Sequence, residues 1–306
     1  MKGKISSIIF AVLAACFLFV SGPVFATEKA DTPAVTPEKQ TEATEAVQPQ
    51  VDEEAEKKAA EQRKKIMEEA HAAIAESKKA LKALDDGKTE EALKALEQAI
   101  GKMELIVARD PELALARVDV NVKVYDLFAN LDTLKKAVKQ AKEYLDDGEV
   151  QLARPLIAGL ASEMVIESIN IPLATYPDAI KSVVPLIDKG EIDEAKAAIQ
   201  TALNTLVVVK EHVIPLPVVR AKELLKEAET LAEKKDRTDE ESKELAALLD
   251  DAENQLKMAE VLGYGKKKAF KPMYEQLDTI RDKTKDDKSG KGFFNKIKDQ
   301  ISNMFN

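Results

Sequence analysis

The chain has 306 residues, with 46 basic and 55 acidic side chains, a net charge of −9 and a single cysteine. A surface of that sign repels nucleic acid and anionic lipid as a whole, leaving only local basic patches to act otherwise, and one cysteine excludes an internal disulfide. Tryptophan is absent and aromatic residues make up 5% of the chain, so any core is aliphatic.

Lys2 and Lys4 precede an apolar run from Ile5 to Val20, the pattern of an export signal. Two cleavage sites compete. Leu13-Ala14-Ala15-Cys16 reads as a lipobox, in which Cys16 is lipidated and anchors the chain. The apolar run, however, continues through Phe17–Val20 and breaks at Ser21-Gly22-Pro23, which favours release by cleavage between Ala26 and Thr27. The expected location is the periplasm, with lipoprotein anchoring at Cys16 the weaker alternative. Loss of Lys2 and Lys4 leaves 44 basic groups against 55 acidic ones, hence −11, and no thiol for catalysis. No later run approaches the length of a membrane span.

Residues 27–52 are rich in Thr, Glu and Ala, with isolated valines and no aromatic residue, which predicts a disordered tether. A helical domain over 53–285 follows. Ile192, Ala195, Ile199, Ala202, Leu206, Val209 and Val213 recur at alternating steps of three and four, as do Leu131, Leu134, Val138, Ala141 and Leu145. Leu245, Leu249, Ala252, Leu256, Ala259 and Leu262 repeat the pattern apart from a final step of three. These are stripes of helices packed in a bundle. Three turns look alike: LDDGKTEEA at 84–92, LDDGEVQLA at 145–153 and IDKGEIDEA at 187–195. In each, an apolar residue closes one helix, glycine makes a left-handed turn and acidic residues open the next helix. Gly87, Gly148 and Gly190 are unequally spaced, against a tetratricopeptide array. Thr238-Asp239-Glu240-Glu241 is a capping box. Pro155 within GEVQLARPLIAGL predicts a kink or a late helix start.

ARVDVNVKVYDL (116–127) alternates valine with polar residues, and MVIESINIPL (164–173) alternates likewise. They predict a two-stranded β-ribbon, about 117–125 with 164–172, covering one end of an antiparallel bundle of αα-hairpins. The fold class expected is therefore mainly α. Residues 286–306 form a linker and a C-terminal amphipathic helix, with Phe293, Phe294, Ile297, Ile301, Met304 and Phe305 on one face. Packing onto the body or a second subunit is the expected use; contact with a membrane surface is the alternative.

Active-site patterns fail one by one. Gly87-Lys88-Thr89 lacks the first glycine of a P-loop, since Lys82 stands there. His71 and His212 are the only histidines and have no zinc-ligand spacing. The Asp-Asp pairs at 85–86, 146–147 and 250–251 do not continue into a calcium loop. No catalytic residue, metal or cofactor is expected. ESINIPLATYPDAI (167–180) and EHVIPLPVVRA (211–221) hold Pro172, Pro177, Pro215 and Pro217, which break helices and bring polar groups beside apolar walls. Asn170, Tyr176, His212 and Arg220 are the binding candidates, because sites form on loops held by a rigid scaffold.

LASEMVIESINIPLATYPDAI, ALNTLVVVKEHVIPLP and KSGKGFFNKIKDQIS resemble the YfdX family of exported bacterial proteins, and the likeness runs over roughly 65–306. The resemblance implies a periplasmic, mainly helical protein with a small β element, linked to acid and drug stress in enteric bacteria. It brings no catalytic residues with it. Two functions follow as expectations. One is a non-catalytic stress protein, with homo-oligomers expected, that binds other periplasmic proteins or small molecules and has a chaperone-like action in acid. The other is a carrier holding small apolar molecules between its helices near Tyr176 and His212.

Overall fold

A computed structural model describes residues 40–127, 129–285 and 292–305. The proposed signal peptide with Cys16, Ala26 and Thr27, the tether up to residue 39 and residues 286–291 of the linker lie outside the described residues. The rest of the predicted tether is helical. Glu42–Ala46 (α1) is capped by the Thr41 hydroxyl, which accepts from the Thr44 amide, and Gln48–Arg63 (α2) follows. Val47, Val51, Ala55 and Ala59 are buried at every fourth position, forming an apolar stripe too small in volume to stand out from its acidic surroundings.

Three hairpins follow the glycine turns. Glu68–Asp85 (α3) joins Thr89–Arg109 (α4) at Gly87, Leu131–Asp146 (α5) joins Val150–Ala158 (α6) at Gly148, and Val184–Asp188 (α8) joins Ile192–Leu203 (α9) at Gly190. All three glycines have φ between 74° and 77°. The amides of Lys88, Glu149 and Glu191 each reach back five residues, to the Ala83, Tyr144 and Leu186 carbonyls, and so satisfy the helix end in the same way. Helix α6 runs through Pro155 instead of starting at it.

The β element has three strands, Leu115–Tyr125 (β1), Glu163–Pro172 (β2) and Val207–Pro215 (β3), antiparallel in the order β1-β2-β3. The expected two-stranded ribbon thus gains a strand from the stripe that reads as one helix over 192–213. Helix α9 ends at Leu203, and Val207, Val208, Val209, Val213 and Ile214 favour a pleated strand. The step of four from Val209 to Val213 suits either period, which is why spacing alone misassigns it. The register slips in β1 between Arg117 and Asp119, leaving Val118 as the extra residue, and at Ile166/Glu167, where Glu211 of β3 is extra.

The slip in β1 divides its valines. Ala116 and Val118 join Ile171 in the core of α3, α4 and α9, to which Tyr176–Lys181 (α7) also contributes. Val120 instead joins Met164, Ile166 and Ile214 under α2. The sheet therefore serves two cores and does not cap one end of a bundle. A further core unites Leu216–Ala232 (α10), Asp239–Leu262 (α11), Lys267–Thr284 (α12) and Asn295–Phe305 (α13). The capping box at Thr238 opens α11. Phe294, Ile297 and Ile301 are buried on α10–α12, and Lys298 Nζ meets Glu229 at 2.7 Å, so α13 packs onto the body. Among the described residues no helix is long and apolar enough to cross a membrane.

Candidate functional site

The four prolines of the sequence candidates mark element boundaries: Pro172 ends β2, Pro177 lies in the first turn of α7, and Pro215 and Pro217 open α10. The candidate side chains themselves are not gathered at one place. Asn170 and His212 meet in a chain of hydrogen bonds across the sheet. Gln62 Nε2, at the end of α2, donates to His212 Nε2 at 2.7 Å, which requires the imidazole proton on Nδ1. Gln62 Oε1 accepts from Arg117 Nη1 at 2.9 Å, and Arg117 Nη2 pairs with Glu211. Glu211 also accepts from Ser168 Oγ, and Ser168 Oγ accepts from Asn170 Nδ2 at 2.9 Å. Asn170 Nδ2 reaches the Val207 carbonyl as well, at 3.2 Å.

This network joins all three strands to α2. The two extra residues explain its position, since Glu211 is the bulged residue of β3 and Arg117 immediately precedes the bulge of β1. Gln62, Arg117, Ser168 and Glu211 are scattered over 150 residues, and no local spacing announces them. Each of these side chains is held by another member of the chain, so the network acts as a structural clamp.

Tyr176 and Arg220 offer no binding surface, contrary to the sequence expectation. Tyr176 is fully buried in the α3–α4–α9 core, its hydroxyl near Ser77 but in no well-formed hydrogen bond. Burial pushes its pKa up, and Ser77 only partly offsets this. Arg220 is fully buried in α10, where it clamps Asp126 with two bonds of 3.0 and 2.7 Å and holds Gln48 Oε1 at 2.8 Å. It ties the end of β1 to the start of α2, both far away in sequence.

A different place has the form of a binding site. A groove of about 490 Å³ lies between α5, α11 and α12. Lys135, Val138, Lys139 and Lys142 line it from α5 at steps of three, one and three, which is one face of a helix. Lys257, Glu260 and Val261 come from α11, and Lys267 and Tyr274 from α12. Val138, Val261 and Tyr274 are half-buried and give the groove its apolar floor. Tyr274 stacks on Phe270, with ring centroids 6.5 Å apart, and donates to Glu260 at 2.7 Å. Burial and then the Glu260 carboxylate push its phenol pKa well up, so it stays a proton donor.

The lysines are unevenly matched. Lys135 lies 3.8 Å from Asp132, Lys139 lies 3.5 Å from Glu143, and Lys257 pairs with Glu253. Lys142 and Lys267 form no ion pair among the described residues. Behind the groove Arg281 joins α12 to α11 through Glu253 at 2.7 Å and Asp250 at 2.8 Å. The α5 lysines are visible in LDTLKKAVKQAKEYLDD, but in a chain one-third charged they read as a solvated face. Only the fold adds Lys257 and Lys267. Among the described residues no three His, Cys, Asp or Glu side chains gather as a metal site.

A family model described as YfdX protein matches residues 73–212, a span from α3 into β3 and narrower than the 65–306 of the sequence resemblance. Curated proteins give no match. Among solved structures, a crystal structure of YfdX from Salmonella Typhi is 15% identical, with a TM-score of 0.34, covering 49% of this chain and 93% of its own.

Proposed function

We propose that this chain, which a YfdX family model matches over residues 73–212, works without catalysis, as a periplasmic stress-response protein that binds small molecules with an apolar body. The groove between α5, α11 and α12 carries this reading. Its 490 Å³ falls within the range of about 300–1,000 Å³ of small-molecule sites, and its floor is apolar. The export pattern at residues 1–26 supports the compartment. Thermal melting of the purified protein against a panel of alkyl and aromatic compounds tests it. The expected result is a saturable rise in Tm for some members, lost in Val138→Asp. A panel without any shift, at concentrations up to solubility, removes the reading.

A second reading, capture of unfolding proteins, is favoured by the α5–α6 hairpin. Leu145, Val150, Leu152 and Ile157 are each 42–55% exposed there, and α6 contributes only Ala153 and Leu156 as buried residues. Acid would neutralise carboxylates and leave basic groups unopposed, loosening the bundle and baring more of its seams. Sizing and client-aggregation assays at pH 7 and pH 4 check this. An unchanged species that protects no client at either pH removes it.

A further inference from the structure

We infer that the groove between α5, α11 and α12 selects single-chain anionic amphiphiles, with an alkyl chain on its floor and the acidic head at Lys142 and Lys267. The inference rests on the small-molecule reading above and adds the class of ligand. Five lysines and one carboxylate line the groove of a chain whose net charge is −9, so the local sign opposes the global one. The single carboxylate, Glu260, is occupied by the Tyr274 hydroxyl. Lys135, Lys139 and Lys257 have carboxylate neighbours on their own helices. Lys142 and Lys267 form no ion pair among the described residues and come from different helices, α5 and α12, so they are the two charges left for a ligand.

The first turn of α12 reinforces the sign. It holds Lys267 and Lys268 after Lys266, with no acidic residue and no side-chain cap, the reverse of what a helix N-terminus favours. Lysine suits the task, because its four-carbon stem can lie along the apolar floor while the ammonium group reaches the rim. A cationic or neutral head would leave that rim unmatched. A nucleic-acid strand would meet a chain whose net charge of −9 repels it as a whole.

Isothermal titration of the purified protein with dodecanoate, dodecyl maltoside and dodecyltrimethylammonium, each below its micelle concentration, tests the inference. The tails are the same and only the heads differ. Dodecanoate is expected to bind at one per chain and at least about tenfold more tightly than the other two, with affinity falling as salt rises. The double variant Lys142→Gln/Lys267→Gln is expected to lose about tenfold for dodecanoate and to keep its affinity for the maltoside. Equal affinity for all three heads overturns the anionic preference but leaves the small-molecule reading standing. Absence of binding by all three overturns both. Undiminished dodecanoate binding in the double variant puts the head elsewhere and overturns the assignment. Binding to phosphatidylglycerol vesicles without binding of free dodecanoate makes the lysines a membrane contact and overturns it too.

Discussion

The sheet network and the lysine groove are both polar, and they differ in what their charges meet. Arg117 is 16% exposed and is engaged by Gln62 and Glu211, whereas Lys142 and Lys267 are exposed and form no ion pair among the described residues. A buried polar group without a partner is costly, so the residues that folding draws inside are those that folding also satisfies. Charges left open beside an apolar floor contribute little to the fold and remain free for a ligand. Residue types that suggest chemistry, here His, Tyr, Asn and Arg, mostly serve the structure, and the plainer lysines line the groove.

The largest test of that contrast lies at Arg220. Asp126→Ala removes the two bonds of 3.0 and 2.7 Å made by a guanidinium with no exposed surface. Breaking a buried pair from one side costs about 3–5 kcal/mol, which urea unfolding will read. The double variant Asp126→Ala/Arg220→Met is expected to recover much of the loss, because the buried charge is gone. A loss as large in the double variant would mean that packing, and not the charge, is what Asp126 protects.

Arg117→Met comes next. It leaves Glu211 with Ser168 alone and frees Gln62 Oε1, and the expected loss is about 1–3 kcal/mol with dodecanoate affinity unchanged. Unchanged stability would break the comparison, since the network would then be as idle in folding as the groove lysines are expected to be.

Acid acts on the wall between α11 and α12. Burial alone would raise the Glu253 pKa, but the hydrogen bonds and charges of Lys257 and Arg281 outweigh it and hold the carboxyl below its ordinary 4.5. A depressed folded pKa gives stability that is present above 4.5 and is lost as pH falls through the folded value. Glu69 and Glu241 are held down in the same direction, by Arg109 and by Lys234. Glu227 runs the other way, raised by burial and then by Glu223 and Glu244. With these three and Asp282, which Lys285 likewise holds down, against one, Tm should fall as pH drops below about 4.5. Glu253→Gln should lower Tm at pH 7, by about 1 kcal/mol in stability, and flatten that fall. A Tm independent of pH would show that these pairs are idle.

How much of this was legible beforehand depends on whether a feature is local. The turns at Gly87, Gly148 and Gly190 are written in four or five adjacent residues and come out alike, as does the capping box at Thr238. The stripe through Val209 and Val213 is local too, but steps of four satisfy helix and strand, and only pairing with β2 decides between them. Val47 and Val51 look isolated in an acidic segment, because their value lies in α10, α11 and the sheet, which they cover. The groove was least legible. Its walls come from residues 135–142, 257–261 and 267–274, and a lysine face on one helix becomes a site only when a second and a third helix close on it.

The smallest expected effect is also the most telling. Lys142→Gln and Lys267→Gln remove exposed charges that have no carboxylate partner among the described residues, so the free protein should change by no more than about 0.5 kcal/mol. The neighbours decide the sign. Lys142 shares a helix face with Lys135 and Lys139, and Lys267 lies beside Lys266 and Lys268. Deleting either relieves repulsion between like charges, so Tm should hold or rise slightly in low salt, and the difference should fade as salt screens the groove. A clear fall in Tm would mean that these lysines stabilise the fold, and the division between satisfied clamp and open groove would fail. A flat or rising Tm, with weakened dodecanoate binding in the same variants, separates stability from binding at the level of two side chains.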